Sequence, residues 1–243
     1  MPKILILNPI ITEEFNKGTE EFYKKHVSKD FEVDVVNIKF GPASIETHYD
    51  AEVAASFIVR EVERAEKAGY DAVIINCFDD PALDAAREAV SIPVVGPGEA
   101  SIYLACMLGE KFSILTVGPP YVKRLPTPRI RKMGLSSRFA SEISVDVKVL
   151  DIKKDKDRTF NLLVEAGRKA IEEDGADVLI LGCTGLTGFD KKLEKELGVP
   201  VIYPGLVALK FAETFVKLGI CHSKKAYPEP LPKKRIYPKE VDY

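Results

Sequence analysis

The sequence predicts an α/β fold of two pseudo-symmetric lobes, each a mainly parallel sheet flanked by helices. Short, nearly continuous apolar runs rich in β-branched residues alternate with amphipathic stretches, which is typical of buried parallel strands covered by helices. A block in the first half of the chain recurs in the second half at an offset of 106 to 107 residues. A period this long indicates a duplicated α/β unit, because solenoid repeats span only about 20 to 50 residues.

Six apolar runs are the predicted strands. They are KILIL at 3–7, DAVIIN at 71–76, PVVG at 93–96, FSILTV at 112–117, DVLILG at 177–182 and PVIYP at 200–204. Two longer helices are predicted over 50–67 and 156–174, where apolar side chains recur at helical spacing and charges occupy the other face. Both stretches lead to a glycine, Gly69 and Gly175, and glycine favours the end of a helix.

Each copy of the repeat carries a cysteine at the end of its apolar strand. GYDAVIINC ends at Cys77, and the matching run GADVLILGC ends at Cys183. In both copies a helical segment, a Pro-Val strand and a Pro-Gly pair follow, and proline at the first position favours a new helix. We expect the helix from Gly98 to lead the chain into the second lobe and the helix from Gly205 to lead it back.

This pattern divides the chain into three parts. Residues 1–97 together with 206–222 are predicted to form lobe one, and residues 98–205 lobe two. Residues 223–243 are predicted to form an extended C-terminal tail, because their prolines exclude a long helix. We expect the tail to pack on the body of the protein or on another subunit.

The composition favours a cytoplasmic protein with a large core. The chain has 243 residues, 46% of them hydrophobic, and a net charge of -2 with acidic and basic residues intermixed. This charge balance speaks against a nucleic-acid partner, and no apolar run approaches the ~18 residues that a membrane helix needs. The four cysteines are far apart and there are only three histidines. We therefore expect neither a disulfide framework nor a metal site, and no cofactor motif is found.

The paired cysteines predict a cofactor-independent racemase. Ligands of open parallel sheets bind beyond the carboxyl ends of the strands, where both Cys77 and Cys183 are expected. Two lobes that face each other would place these thiols on opposite walls of one cleft. Racemisation next to a carbonyl needs a base on one face of the carbon and an acid on the other. A thiol, with an ordinary pKa near 8.5, can serve in either state close to neutral pH.

The turn after each cysteine is predicted to bind the reacting oxygen. Residues 78–80 and 184–186 are expected to start helices, so that their backbone N–H groups point into the cleft. Such donors stabilise a developing enolate oxygen. Asn8 and Thr116 lie at matching strand ends and are expected to add side-chain hydrogen bonds.

Structural roles are the alternative for several of these residues. A free cysteine is usually a small buried hydrophobe, and this interpretation is preferred for Cys106 and Cys221. Asp79 and Asp80 could cap a helix opened by Pro81.

A Pro-rich stretch, VKRLPTPRIRKMG, carries three arginines, Arg124, Arg129 and Arg131. It is predicted to be a solvated loop. A lid that reaches over the cleft is the alternative.

Four separate blocks, in order, resemble the hydantoin racemase branch of the aspartate/glutamate racemase superfamily. They are GPASIE at 41–46, NCFDDPALDAARE at 76–88, PVVGPGEA at 93–100 and LGCTGL at 181–186. The resemblance extends to about residue 220 and leaves out the Pro-rich tail. It implies an Asp/Glu racemase-like fold with the site between two lobes, no cofactor, and a catalytic pair that maps to Cys77 and Cys183.

The resemblance also implies the substrate class, 5-substituted hydantoins or allantoin, and a homo-oligomer. It places the loop 41–46, with Ile45, beside the pocket for the substituent. Thr47-His48 departs from the family pattern, in which many relatives carry glycine after the SIE run, and a bulkier loop would narrow this pocket. The expected substrate-binding residues are Asn8, Pro9, Ile45, Asn76, Phe78, Asp79, Thr116, Val117, Gly118, Thr184 and Gly185.

Two classes of alternative function stay open from the sequence. The first is another enzyme that uses the same enolate-type intermediate: an aspartate or glutamate racemase, a decarboxylase or an isomerase. The second is a small-molecule binding protein that has kept the cleft without catalysis.

Overall fold

The computed structural model describes residues 1–119 and 126–236 and contains two four-stranded parallel sheets. The first sheet is formed by β1 (Lys3–Asn8), β2 (Glu32–Asn37), β3 (Ala72–Ile75) and β4 (Val94–Val95), in the order β2-β1-β3-β4. The second is formed by β5 (Phe112–Val117), β6 (Phe139–Val145), β7 (Val178–Leu181) and β8 (Val201–Ile202), in the order β6-β5-β7-β8. The equivalent order of the two sheets confirms the predicted fold class.

Helices flank both sheets. They are α1 (Asn16–His26), α2 (His48–Lys67), α3 (Leu83–Ala89), α4 (Pro97–Leu108), α5 (Pro126–Lys132), α6 (Lys156–Glu172), α7 (Asp190–Leu197) and α8 (Pro204–Leu218). Short 3-10 helices occupy Ser136–Arg138 and Val149–Asp151. In the part of the chain that the structure describes, no helix combines the length and apolarity needed to cross a membrane.

Burial on both faces explains the strands that the sequence predicted. β3, β5 and β7 are buried at every position, and β1 is buried after its first residue. The sequence analysis missed β2 and β6, which lie at the edges of their sheets. β2 places Glu32 and Asp34 on its exposed face, and none of the first six residues of β6 is fully buried. Half-exposed edge strands lack the continuous apolar run that marks a central parallel strand.

Helices α4 and α8 connect the two halves. Each begins with a Pro-Gly pair, as the repeat predicted. α4 packs on β5 and β7, α8 packs on β3 and β4, and the two helices pack on each other. On this ground we propose the division into 1–97 plus 206–222 and 98–205. Gly98 is required at the start of α4, because a Cβ there would lie 2.1 Å from the carbonyl oxygen of Phe78.

The start of the C-terminal segment is fastened to lobe one. The backbone N–H of Val94 donates to Nε2 of His222 over 3.0 Å, and the hydroxyl of Tyr227 lies 3.2 Å from Nη1 of Arg87. Between them, Nζ of Lys224 donates to three carbonyl oxygens at the end of α3, those of residues 87, 88 and 90. No helix or strand is found within 223–236, and residues 237–243 of the predicted tail lie outside the described part of the chain.

The contact of His222 with lobe one makes the free energy of unfolding depend on pH. Burial, assisted by the nearby Arg87, lowers the pKa of His222 to about 4 from 6.5. The unfolded chain therefore takes up a proton between these values that the folded chain does not, so that stability falls as pH falls from about 6.5 to about 4. Between about pH 6.5 and pH 4, the His222→Gln variant should therefore lose about 1 to 2 kcal/mol less of its free energy of unfolding than the wild type does. Denaturant unfolding at several pH values measures this difference.

The matched control is His48→Gln, since His48 is exposed at the start of α2. Asp80 titrates in the same window with the opposite sign, because its pKa is raised to about 6. The pH dependence of the unfolding free energy is therefore compared as the difference between each variant and the wild type, in which the contribution of Asp80 cancels. An equal slope in the His222→Gln and wild-type proteins would contradict the role given to the imidazole.

Candidate active site

One cavity collects the two cysteines of the repeat. Cys77 lies two residues beyond the end of β3, and Cys183 lies two residues beyond the end of β7. Both line a cavity of about 630 Å³, mouth included, to which both halves of the chain contribute. Both thiols are partly exposed, and none of the four cysteines forms a disulfide. The described lining consists of Asn8, Pro9, Ile10, Phe15, Thr19, Ile45, Asn76, Cys77, Phe78, Asp79, Val149, Lys153, Gly182, Cys183, Thr184, Gly185 and Thr187.

A hydrogen bond between the lobes joins the two cysteine turns. Oγ1 of Thr184, the residue after Cys183, donates to the carbonyl oxygen of Asn76, the residue before Cys77, over 3.0 Å. Thr184 is fixed in turn, because the buried hydroxyl of Tyr203 donates to its carbonyl oxygen over 2.7 Å. The spacing of the two thiols is therefore set by a direct contact as well as by the packing of the lobes.

A backbone N–H is directed at the sulfur of Cys183. The N–H of Gly185 lies 3.3 Å from Sγ, and a Cβ at Gly185 would be in tight contact with the same sulfur. A hydrogen bond to sulfur favours the charged form of the group that receives it. This turn thus stabilises negative charge on the Cys183 thiol.

Neither cysteine turn starts a helix, so this prediction was wrong. α3 begins only at Leu83 and α7 only at Asp190. The backbone of Asp80 and Ala82 lies in the left-handed region, with φ of 50° and 58°, which interrupts a right-handed helix. The N–H groups of Asp80 and Leu186 therefore belong to turns, in which they donate back to the carbonyl oxygens of Cys77 and Cys183.

Asp80 caps a different helix from the one expected. Its carboxylate accepts from the N–H of Gly98 over 2.9 Å and from that of Glu99 over 2.6 Å, which are the first turn of α4. α3, which it was predicted to cap, has Ala82 at that position and no side-chain cap. The close approach to α4 requires glycine at Gly96, where a Cβ would lie 2.6 Å from the Asp80 carboxyl.

Arg129 pins the turn that carries Cys77, contrary to the solvated loop predicted for this stretch. Nη1 of Arg129 donates to the carbonyl oxygen of Phe78 over 2.7 Å and to Oδ2 of Asp80 over 3.1 Å. Its guanidinium also lies 5.0 Å from the centre of the Phe78 ring. Arg131, on the same helix, is exposed, and Arg124 lies outside the described residues.

Burial shifts the pKa of Asp80 upward. The side chain is only 4% exposed, and this desolvation raises the pKa to about 6, although Arg129 and the two backbone donors act in the opposite direction. The carboxylate is therefore charged above about pH 6 only at an energetic cost that Arg129 reduces.

A chain of side-chain amides holds the lobe-one wall. The hydroxyl of Tyr23 donates to Oδ1 of Asn76, whose Nδ2 donates to Oδ1 of Asn8 over 2.8 Å. Nδ2 of Asn8 lies 3.1 Å from the amide oxygens of both Asn16 and Asn37. Asn8 and Asn76 thus line the cavity in fixed orientations. Both N–H donors of the Asn8 Nδ2 group are used in hydrogen bonds within the protein.

Three of the predicted binding residues do not line the cavity. Thr116 is buried, and its Oγ1 donates to the carbonyl oxygen of Gly182 over 3.2 Å. Val117 lies in the lobe-two core, and the carbonyl oxygen of Gly118 accepts from the hydroxyl of Ser144. The two strand ends differ because Asn8 belongs to a network open to the cavity, whereas Thr116 is turned onto the neighbouring strand.

Several lining residues were not anticipated. They are Ile10, Phe15, Thr19, Val149, Lys153, Gly182 and Thr187. Val149 and Lys153 follow β6 as Ile45 follows β2, so recognising the two edge strands in the repeat would have pointed to this segment. Among the described residues, no group of three His, Cys, Asp or Glu side chains is arranged to hold a metal ion.

We expect the bond between the lobes to matter for turnover. Replacing Thr184→Val removes the donor to Asn76 and should cost about 1 kcal/mol of stability, and a shift of either thiol should lower kcat about tenfold. Thr184→Ser keeps the hydroxyl and should retain most of the activity. Unfolding by denaturant and steady-state kinetics measure the two effects, and equal activity of the valine and serine variants would contradict this role.

The fold and the cavity define a class of protein: two duplicated α/β lobes with a ligand cleft between them, lined by one thiol from each half. The chain belongs to the Asp/Glu/Hydantoin racemase family, whose model matches residues 4–212. Its activity class is that of a racemase.

Curated relatives match almost the full length. The hydantoin racemase of Pseudomonas sp. (strain NS671) is 40% identical over 235 residues, covering 96% of this chain and 94% of that protein. The hydantoin racemase of Paenarthrobacter aurescens is 36% identical over 236 residues, covering 96% of this chain and 100% of that protein. Among solved structures, allantoin racemase from Klebsiella pneumoniae is similar with a TM-score of 0.91 and 29% identity, covering 98% of this chain and 97% of that one.

Proposed function

We propose that this protein racemises 5-substituted hydantoins or allantoin-like compounds, without a cofactor, with Cys77 and Cys183 as alternating base and acid. The observation that carries the proposal is that both thiols, one from each lobe, line the same cavity. The names of the relatives support the substrate class, and the pseudo-symmetry of the fold supports the exchange of roles between the two cysteines.

Each turnover moves two protons. One cysteine, as thiolate, removes the proton on C5, and the electron pair of that bond passes to the neighbouring carbonyl to give an enolate. The other cysteine, as thiol, delivers its proton to the opposite face of C5, and the electron pair returns from oxygen to carbon. The thiolate and the thiol have then exchanged places, so the opposite enantiomer finds the acid and base that it needs.

The surroundings of each thiol support this chemistry. The N–H of Gly185 stabilises charge on Cys183, and we propose that other backbone N–H groups of the turns after both cysteines bind the ring oxygens. We propose that the ring and its substituent contact the predicted residues that line the cavity, Asn8, Pro9, Ile45, Asn76, Phe78, Asp79, Thr184 and Gly185. Thr116 contacts this wall from behind, through the carbonyl oxygen of Gly182, whereas Val117 and Gly118 do not line the cavity. The homo-oligomer stays a prediction.

A screen of 5-substituted hydantoins by polarimetry tests the proposal. Loss of optical rotation, with the C5 proton replaced by deuterium in deuterated water, is the expected result. A protein that only binds would be stabilised against heat by the hydantoin without any deuterium uptake at C5. That outcome, or unchanged rotation for every compound, would overturn the proposed reaction.

A further inference from the structure

A lysine on the lobe-two side of the cavity reaches an aromatic ring of lobe one. Lys153 lines the cavity, and its Nζ lies 5.4 Å from the centre of the Phe15 ring. A Cβ at Gly18 would lie 2.8 Å from this Nζ, so the ammonium lies close to the backbone of the first turn of α1.

The charge of Lys153 is not matched by an acid in direct contact. Within residues 1–119 and 126–236, its Nζ makes no hydrogen bond or ion pair, whereas the neighbouring Lys154 pairs with Asp151 over 2.6 Å. The first turn of α1, which lies under the ammonium, contains no acidic residue. Burial and the nearby Lys156 lower the pKa of Lys153, with Glu21 acting more weakly in the opposite direction. An anion brought beside Nζ would therefore relieve an unfavourable environment.

The rest of the lining determines where an anion can bind. Ile10, Phe15, Ile45 and Val149 supply apolar surface to the same lining. A carboxylate in this cavity is therefore attracted to the side on which Lys153 lies, and Lys153 would orient a substrate with one negative end.

We propose that Lys153 selects hydantoins whose 5-substituent ends in a carboxylate, and that its ammonium binds this carboxylate while the ring lies between Cys77 and Cys183. The inference rests on the proposed racemase function and adds the substrate class. The carboxylate stays unchanged during turnover, so its binding positions C5 without taking part in proton transfer.

A matched pair of substrates tests the inference. The 5-carboxyethyl and 5-carbamoylethyl hydantoins have nearly the same shape and differ in charge. For the wild type we expect kcat/KM to be about 2 to 5 times higher for the carboxylate, because Lys153 is exposed and an exposed ion pair is screened by solvent. Lys153→Met should bring this ratio close to one, and Lys153→Glu should reverse it.

The control is Lys154→Met, which removes an adjacent exposed lysine outside the cavity lining and should leave the ratio unchanged. Equal or better turnover of the carbamoylethyl compound by the wild type would overturn the inference, as would an unchanged ratio in Lys153→Met. Racemisation of other hydantoins in the same assay would show that the proposed function survives that failure. Racemisation of no hydantoin at all would instead overturn the proposed function.

Discussion

Replacing either Cys77 or Cys183 with alanine is expected to abolish racemisation, while each variant still exchanges the C5 proton of one enantiomer. The remaining thiolate can remove the proton from the face that it meets and, after exchange with solvent, return a deuteron to that face. It has no partner to deliver a proton to the other side. Loss of a positioned acid or base lowers the rate about 10²- to 10⁴-fold.

The stereochemistry of exchange is the informative readout for these variants. Enantiomers have equal free energy, so kcat/KM for the two directions of racemisation must stay equal in any variant. The relative rates of the two directions therefore cannot show which cysteine acts on which face of the substrate. Each alanine variant, however, should introduce deuterium into one enantiomer only, and the two variants should label opposite enantiomers. Proton NMR in deuterated water with each pure enantiomer measures this.

The chain offers its own controls for this experiment. Cys106 packs against the core away from the cavity, and Cys221 is exposed. Cys106→Ala and Cys221→Ala should both racemise at the wild-type rate. A Cys77→Ala protein that still inverts its substrate, or that labels both enantiomers, would contradict the paired mechanism.

Replacing Arg129 with alanine is expected to have the largest effect on stability. The variant loses the partner of the buried Asp80 carboxylate and the donor to the carbonyl oxygen of Phe78. Breaking a buried ion pair by removal of one partner costs about 3 to 5 kcal/mol. Because the Asp80 turn also carries Cys77, kcat should fall with stability.

The cost of Arg129→Ala should depend on pH with a definite sign. Burial already raises the pKa of Asp80 to about 6, and loss of the guanidinium raises it further. A group whose pKa is raised on folding contributes stability at low pH that is lost as pH rises through the folded value. The variant should therefore differ most from wild type above about pH 6 and approach it near pH 4, where the carboxyl is neutral in both proteins.

Three further variants separate the effect of charge from that of local geometry. Arg131→Ala removes an exposed arginine of the same helix and should behave as wild type. Combined with Cys183→Ala, Arg129→Ala should slow the exchange that Cys77 carries out, whereas combined with Cys77→Ala it should affect exchange at Cys183 much less. Equal slowing of exchange in both cysteine variants, or a loss of stability that is the same at every pH, would contradict the proposed role of Arg129 in holding the turn that carries Cys77.

The central strands and the fold class could be predicted because their residues repeat. Cys77 and Cys183 end equivalent buried strands, and burial on both faces leaves a continuous apolar run that is visible in the sequence. The edge strands β2 and β6 were missed because their alternating polar residues reflect a half-exposed position. The segment with Lys153 was missed with them, since the repeat points to it only once β6 is recognised.

Side-chain roles were less accessible than strand positions. Asp80 was expected to cap the nearest helix, but the left-handed backbone at Asp80 and Ala82 delays α3 and directs the carboxylate to α4. Arg129 lies in a Pro-rich run without apolar periodicity, so nothing local predicted a contact with a turn fifty residues earlier. Thr116 matched Asn8 in the repeat, yet a strand-end hydroxyl can bond to the adjacent strand, which sequence position alone does not determine.

The most direct test follows the incorporation of deuterium during the first few per cent of substrate conversion by the wild-type protein. The reaction starts from a single pure enantiomer of a 5-substituted hydantoin in deuterated water. The inverted product and the unreacted substrate are then separated as enantiomers, and each is analysed for deuterium at C5. With thiols on both sides of the carbon, the product should carry deuterium from its first appearance while the remaining substrate stays unlabelled. Label that enters recovered substrate as fast as product, or product that retains the original proton, would mean that a single group serves both faces.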